Sequence, residues 1–296
     1  MKKIGTHNGI FHADDVFSAA ILRRVLGEVD VIRTRNPSLL AECDIRVDVG
    51  GKSDEVVDFD HHQRGGAGAR RNNLPYASAG LVWRKYGAEI CGSTETASRV
   101  DEKLIQVIDA SDCGVVLSTP KTEGVFGYSV SSAISSINPG WDEDQSEAST
   151  TAAFNKAVEI ASVILDREIS RAKGTESARA VVEGAIADAK DPRVVVLPQF
   201  APWEETVVPG SPLAQYVVFP SMKGEWMCQC VPATLGSFDK RKALPKEWGG
   251  LRGADLAALT GVSDAVFCHI GLFICGSATR EGAIKLASLA VEAEVK

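Results

Sequence analysis

Four short stretches of this chain hold carboxylates, and two of them set imidazoles beside those carboxylates. They hold His7, His12 and Asp14 in "GTHNGIFHADD", Asp48 in "IRVDVGG", Asp60, His61 and His62 in "DFDHH", and Asp109 with Asp112 in "IDASDCG". The chain has five histidines, and four of them fall in these stretches. A nitrogen–oxygen donor set with no thiolate requirement suits Mn²⁺, or Mg²⁺ and Co²⁺, better than a closed, thiolate-rich zinc site. Six or seven donors are too many for one tetrahedral ion. They suit two ions about 3.5–4 Å apart that share a carboxylate and activate water for in-line hydrolysis of phosphate esters. Single acids have plainer uses. Asp14 opens a helix and could cap it, and Asp15 stands where the helix dipole favours an acid. Capping needs neither histidines nor four clusters at matching places.

Secondary structure supplies the matching places. "KKIGTH", "VDVIRTR", "DIRVDVGG" and "EVVDF" read as strands, and "DDVFSAAILRRVLG" has helical spacing up to Gly27. "ASAGLVWRKYG" and "DEKLIQVIDA" read as further helices, so strand and helix alternate as in an α/β fold with a mostly parallel sheet. Each cluster directly follows an apolar run. Ligands of such sheets bind outside the carboxyl ends of the strands, so the four clusters are expected to converge. Neighbouring residues of a regular strand point to opposite faces. For His61 and His62 to serve one site, the strand must end near Asp60 and the Gly-rich "QRGGAG" must let the chain turn.

Residues 147–189 read as a charged helix with an apolar stripe of Phe154, Val158, Ala161 and Leu165. Strand-like "RVVVLP", "AQYVVFP" and "EWMCQC" follow, then a Gly-rich stretch and a closing helix. The expected organisation is an α/β catalytic domain over residues 1–189, linking helix included, and a smaller α+β substrate-binding domain over residues 190–296.

The bulk properties narrow the function classes. A formal net charge of −7 disfavours a chain-wide basic surface for duplex nucleic acid. No segment approaches the ~20 apolar residues of a membrane span, and polar residues interrupt the N-terminus, so a cytoplasmic protein is expected. Seven scattered cysteines do not form a secreted disulfide framework. Cys228 and Cys230 share one strand face and are expected to be buried, inert thiols. The sequence fixes no oligomeric state and leaves a homodimer open.

The strand-end aspartate, the N-terminal His…Asp motif and "DHH" together resemble the DHH phosphoesterase superfamily. That superfamily includes manganese pyrophosphatases and single-strand exonucleases. "GTHNGIFHADDVFSAAIL", "VDVGG", "DFDHHQ", "SSAISSINPGW" and "GLRG…FCHIGLFICGSATREGA" look like one branch of it, the Myg family. The resemblance implies a metal-dependent hydrolase with two divalent ions, Mn²⁺ first, acting as a 3′–5′ exoribonuclease on single-stranded RNA or oligonucleotides. It also implies the roles. His7, His12 and Asp48 would hold one ion. Asp14, Asp48, His61 and Asp112 would hold the other, with Asp109 as the rival of Asp112. His62 would face the phosphate, and Asp60 would fix a histidine tautomer from behind. The alternatives are hydrolysis of a small phosphate compound and a metal-binding regulatory protein with a vestigial site.

The second domain would bring substrate contacts. Gly276, Ser277 and Thr279 open a helix in "GSATREGA", a place that suits phosphate or carboxylate, or else an ordinary cap, and Arg280 could add a clamp. Across Leu272–Thr279 the chain departs from the family pattern by one glycine and one lysine. His269 reads as a buried structural histidine or a substrate contact. Arg64, Arg70 and Arg71 flank the loop after the double histidine and could steer an anion. Lys240, Arg241 and Lys242 read as solvated surface.

Overall fold

The computed structural model describes residues 1–294. Their contacts divide the chain into a unit Met1–Lys173 and a second unit that begins at Gly174.

The first unit contains β1 (Lys2–Thr6), α1 (Ala13–Leu26), β2 (Val29–Arg33), α2 (Pro37–Leu40), β3 (Ile45–Val47), β4 (Asp58–Phe59), α3 (Ser78–Cys91), α4 (Thr94–Val100), α5 (Gln106–Asp112) and α6 (Val130–Ser135). It also contains most of α7 (Glu147–Ala187). The strands form a parallel sheet in the order β2-β1-β3-β4, as the strand–helix alternation predicts. Ile4, Val47 and Phe59 of the sheet, Phe17 and Ile21 of α1, and Phe154, Val158, Ala161 and Leu165 of α7 share one buried core. The expected stripe of α7 is thus a core face. One helix expected over "DEKLIQVIDA" opens instead with a π-helical turn, Asp101–Ile105, before α5. A π turn adds a residue and shifts which side chains face inward.

The second unit contains β5 (Val194–Val196), α8 (Glu204–Gly210), β6 (Tyr216–Pro220), β7 (Trp226–Cys230), α9 (Gly253–Thr260), β8 (Ala265–Cys268), β9 (Ile274–Ser277) and α10 (Arg280–Glu292). Its sheet runs β5-β6-β7-β9-β8. The β5–β6 pair is parallel and the other pairings are antiparallel, giving an α+β unit. The period of two sorts side chains between two cores. Tyr216, Val218, Cys228 and Cys230 pack with Leu286, Ala287 and Ala290 of α10. Val217, Phe219 and Met227 pack with Val182 and Val207. Cys228 and Cys230 are buried on one face, and burial pushes the Cys230 thiol up to about 12. No helix among the described residues is long and apolar enough to cross a membrane.

Candidate metal centre

Short strands build the site. β3 ends at Val47, and Asp48 takes φ +53°, a left-handed conformation that aspartate tolerates better than bulkier residues. β4 ends at Phe59, so Asp60, His61 and His62 are free of strand alternation. His61 Nε2 and His62 Nδ1 both lie 3.3 Å from Asp48 Oδ1. The early end of β4 is the physical answer to the alternation problem.

His7 follows β1, and His12 stands at the N-cap of α1. The loop between them is pinned by Asn138, whose side chain accepts from Phe11 N–H at 3.0 Å and donates to Phe11 O at 2.9 Å. Asp14, in the first turn of α1, accepts from Ser78 N–H at 3.0 Å and Ala79 N–H at 2.6 Å. It therefore caps α3 rather than its own helix. Asp112, at the end of α5, puts Oδ2 at 3.0 Å from His61 Nε2 and Oδ1 at 3.9 Å from His12 Nδ1.

Three overlapping triads result: His7, His12 and Asp48; Asp48, His61 and His62; and Asp14, His61 and Asp112. Within each, one donor atom per residue lies within 4.8 Å of the others. Asp48 and His61 each belong to two triads.

The donors fit a cation on their own evidence of unmet bonding. Asp48 Oδ1, Asp15 Oδ2 and His61 Nε2 are buried with no hydrogen-bond partner among the described residues. The contacts at 3.0–3.3 Å around His61 thus lack hydrogen-bond geometry. His7 Nδ1 lies 3.1 Å from Asn8 O, an acceptor, so that nitrogen carries the proton. The Nε2 lone pair then faces Asp48 Oδ2 at 3.3 Å and Asp15 Oδ2 at 3.4 Å. Acceptors converging on one point require a proton or a metal ion between them. Protons respond accordingly. Burial, then the charges of Asp48, Asp112 and Asp109, push the Asp14 carboxyl well up. Burial pushes Asp15 up to about 7 despite His7 beside it. The His7 and His61 imidazoles are raised although burial opposes it, because neighbouring carboxylates favour their charged forms. Asp48 is held below the usual carboxylate range, against its burial, by His61 and His7. Divalent cations would supply the missing charge.

Asp60 sits behind this cluster. Its Oδ1 accepts from His61 N–H at 2.8 Å, His62 N–H at 3.2 Å and His62 Nδ1 at 2.8 Å, and its Oδ2 accepts from Gly51 N–H. His62 Nδ1 is thereby the protonated nitrogen, which leaves Nε2 of this exposed ring for an incoming group.

Asp109 lies apart from the triads. Arg70 Nη1 donates to it at 2.6 Å and Gly80 N–H at 3.0 Å. A Cβ on Gly80 would fall 1.9 Å from Asp109 Oδ2, so this close approach requires glycine. Arg70 also forks onto Asp101 and is buried, which corrects the expectation that it steers an anion. Arg64 and Arg71 are exposed. Asp15, read as a helix-opening acid, does accept from His12 N–H at 2.9 Å, and its second oxygen also faces His7. Spacing alone could not reveal that second contact. Sequence reasoning also missed Arg35 and Lys52, which line a cavity of about 620 Å³ together with Asp48 and His62. Their signal was positional, since Arg35 stands just past β2 and Lys52 just past "VDVGG".

The candidate contacts of the second unit have other uses. Thr279 Oγ1 donates to Asp264 Oδ2 at 2.5 Å, and Thr279 N–H donates to the same oxygen at 2.9 Å. Thr279 also caps α10 by accepting from Gly282 N–H at 3.0 Å. The Asp264 carboxylate thus occupies the place where an external anion was expected, and Ser277 is buried, donating to Asp264 O at 3.1 Å. Gly276 is packed against Phe267 and Met227. Arg280 lies 5.9 Å from the Trp226 ring centre. His269 is exposed, not buried; it accepts from Gly271 N–H at 2.9 Å, and its ring centre lies 4.6 Å from that of Phe273 at a tilt of 54°. Arg241 donates to Ser211, Ala214 and Val208 carbonyls, and Lys242 to those of Val291 and Ala293, so neither is merely solvated. Thr279→Ala is expected to cost about 1 kcal/mol, the usual worth of a lost cap, in a urea titration, with KM for any anionic substrate unchanged.

Comparisons with known proteins bear on this geometry. The chain is 33% identical to the MYG1 exonuclease of Homo sapiens, covering 96% of this chain and 84% of that protein. It is 31% identical to the MYG1 protein of Dictyostelium discoideum over 96% of this chain and 94% of that one. With the MYG1 protein of Schizosaccharomyces pombe the values are 30%, 98% and 97%. A solved structure, the pGpG-specific phosphodiesterase PggH of Vibrio, covers 99% of this chain and 98% of its own with a TM-score of 0.32 at 14% identity, too distant to argue from. Matched by the family model from residue 3 to residue 291, the chain belongs to the MYG1 exonuclease family (Uncharacterised protein family UPF0160).

Proposed function

We propose that this protein is a divalent-metal-dependent phosphoesterase that removes nucleotides from the 3′ end of single-stranded RNA or short oligonucleotides. Membership in a family with relatives named exonucleases supports a hydrolytic nuclease. The observation that carries the metal-dependent reading is the set of three triads joined through Asp48 and His61, with Asp48 Oδ1 and His61 Nε2 buried and without a hydrogen-bond partner among the described residues.

His7, His12 and Asp48 would hold one ion; Asp14, Asp48, His61 and Asp112 would hold a second. Two divalent ions there, Mn²⁺ first, would supply an acidified water and neutralise charge on the phosphoryl oxygens. The protein does the rest. Asp48 keeps both groups of donors in one place from a backbone conformation set by the end of β3. Asp60 orients His62 through Nδ1–H, and Nε2 of that ring would donate to a phosphoryl oxygen when it too carries a proton. Arg35, exposed and without a carboxylate partner among the described residues, and Lys52 draw the flanking phosphates toward the 620 Å³ cavity. Lys52 is partly neutralised by Asp58 at 2.8 Å, so Arg35 carries more of this pull.

The test is Mn²⁺-dependent hydrolysis of 5′-labelled single-stranded RNA and, separately, of pyrophosphate. A ladder of shortened RNA is expected. Phosphate release from pyrophosphate alone would transfer the protein to small-substrate hydrolysis. Bound metal with neither activity would leave the regulatory role. Asp60→Asn should lower kcat about 10–100-fold, the usual cost of losing a partner that orients a site histidine, while bound Mn²⁺ stays near the wild-type amount. An unchanged kcat would remove Asp60 from the mechanism.

A further inference from the structure

The "SSAISS" segment has no role in the metal chemistry, yet it lies against it. A cavity of about 340 Å³ is lined by His12, Asp14, Ser111 and Asp112 together with Ser131, Ser132 and Ser135 of α6. Ser131 and Ser135 are four residues apart on α6 and so share a face. Ile134 of the same helix is buried in the core, which fixes the helix rotation. Ser132 is already engaged, its hydroxyl 3.0 Å from that of Ser129 at the cap. Ser131 is not: its Oγ is buried with no hydrogen-bond partner among the described residues. An unpaired buried hydroxyl is costly and is normally satisfied by a ligand or an ordered water.

The lining identifies the guest. Among the described residues no lysine or arginine borders this cavity, and two carboxylates do, so a second phosphate would find no side-chain counter-charge there. The cavity on the other flank, with Arg35 and Lys52, has the cations a phosphate needs. Hydroxyls that both donate and accept suit a neutral group that does the same, and Ile108 offers an apolar wall to carbon-bound hydrogens. A ribose attached to a phosphate that ions at the neighbouring His/Asp cluster would hold meets this description. Its 2′-hydroxyl is also the group by which proteins tell RNA from DNA.

We infer that the cavity between Asp112 and α6 is a ribose subsite in which Ser131, assisted by Ser135, hydrogen-bonds the 2′-hydroxyl of the nucleotide being cleaved. The inference rests on the phosphodiester reading above and adds the origin of RNA preference. The test is a cycle of two changes with Mn²⁺ present: wild type and Ser131→Ala, each given the ribo and 2′-deoxy forms of one short oligonucleotide. In the wild type the deoxy form is expected to be about tenfold poorer in kcat/KM, the scale of one hydrogen bond. In Ser131→Ala that ratio is expected to fall to near one, with Ser135→Ala giving a smaller fall. A deoxy penalty of equal size in wild type and Ser131→Ala overturns the subsite, as does a wild type indifferent to the 2′-hydroxyl. Hydrolysis of neither oligonucleotide by the wild type would refute the phosphodiester reading itself, and the subsite with it.

Discussion

Asp48→Asn is expected to abolish two properties together: hydrolysis in Mn²⁺ and the thermal stabilisation that Mn²⁺ gives the wild type. Asp48 belongs to two of the three donor triads, more than any neighbour except His61. Its carboxylate is buried, its Oδ1 has no hydrogen-bond partner among the described residues, and its backbone is left-handed. Asparagine keeps the size and tolerates that backbone, so the change removes charge without forcing a new fold. Activity should fall about 10³-fold, the upper end of the range for removing one preorganised electrostatic group. An ion that binds only the folded state at a hundred times its Kd stabilises by about 2.7 kcal/mol, and most of that shift should vanish in the variant. Thermal unfolding with Mn²⁺ or with chelator measures this directly. A variant that keeps both the shift and the activity would end the shared-carboxylate model.

The second large effect concerns stability rather than chemistry. Arg70→Ala is expected to cost about 3 kcal/mol while leaving metal content per folded molecule intact. The Arg70 side chain is 7% exposed, its guanidinium forks onto Asp101 and reaches Asp109 at 2.6 Å, and its Cζ lies over the Tyr76 ring, 4.2 Å from the ring centre. Breaking one side of a buried pair usually costs about 3–5 kcal/mol because the remaining charge is stranded. The lower end applies here. Burial already pushes Asp109 up to about 7 with Arg70 present, so the stranded acid can take up a proton. Urea midpoints and Mn²⁺ stoichiometry separate the two acids of "DASD". Asp109→Ala should lower the midpoint and keep the metal. Asp112→Ala should keep the midpoint and lose metal. The reverse pattern would exchange their roles.

Sequence alone pointed to a class of chemistry and to where along the chain its candidate residues lie. Residue types survive without coordinates, so four histidines beside carboxylates at the ends of apolar runs already implied a mixed nitrogen–oxygen site. Strand and helix periods gave the parallel sheet, and the strand-end rule gave the convergence. The relatives then placed the chain in its family.

Tertiary structure decided everything that depends on which way a side chain turns. Asp14 and Asp15 are neighbours in one helical turn, yet one caps α3 and the other faces His7. Asp109 and Asp112 differ by three residues, and the partner of Asp109 is Arg70, 39 residues away. The anion expected at the start of α10 is Asp264, 15 residues before Thr279. Periodicity predicts the face a residue occupies but not the distant group that meets it there. A buried charge is settled by whichever partner the fold brings within about 3 Å, and that choice belongs to long-range packing.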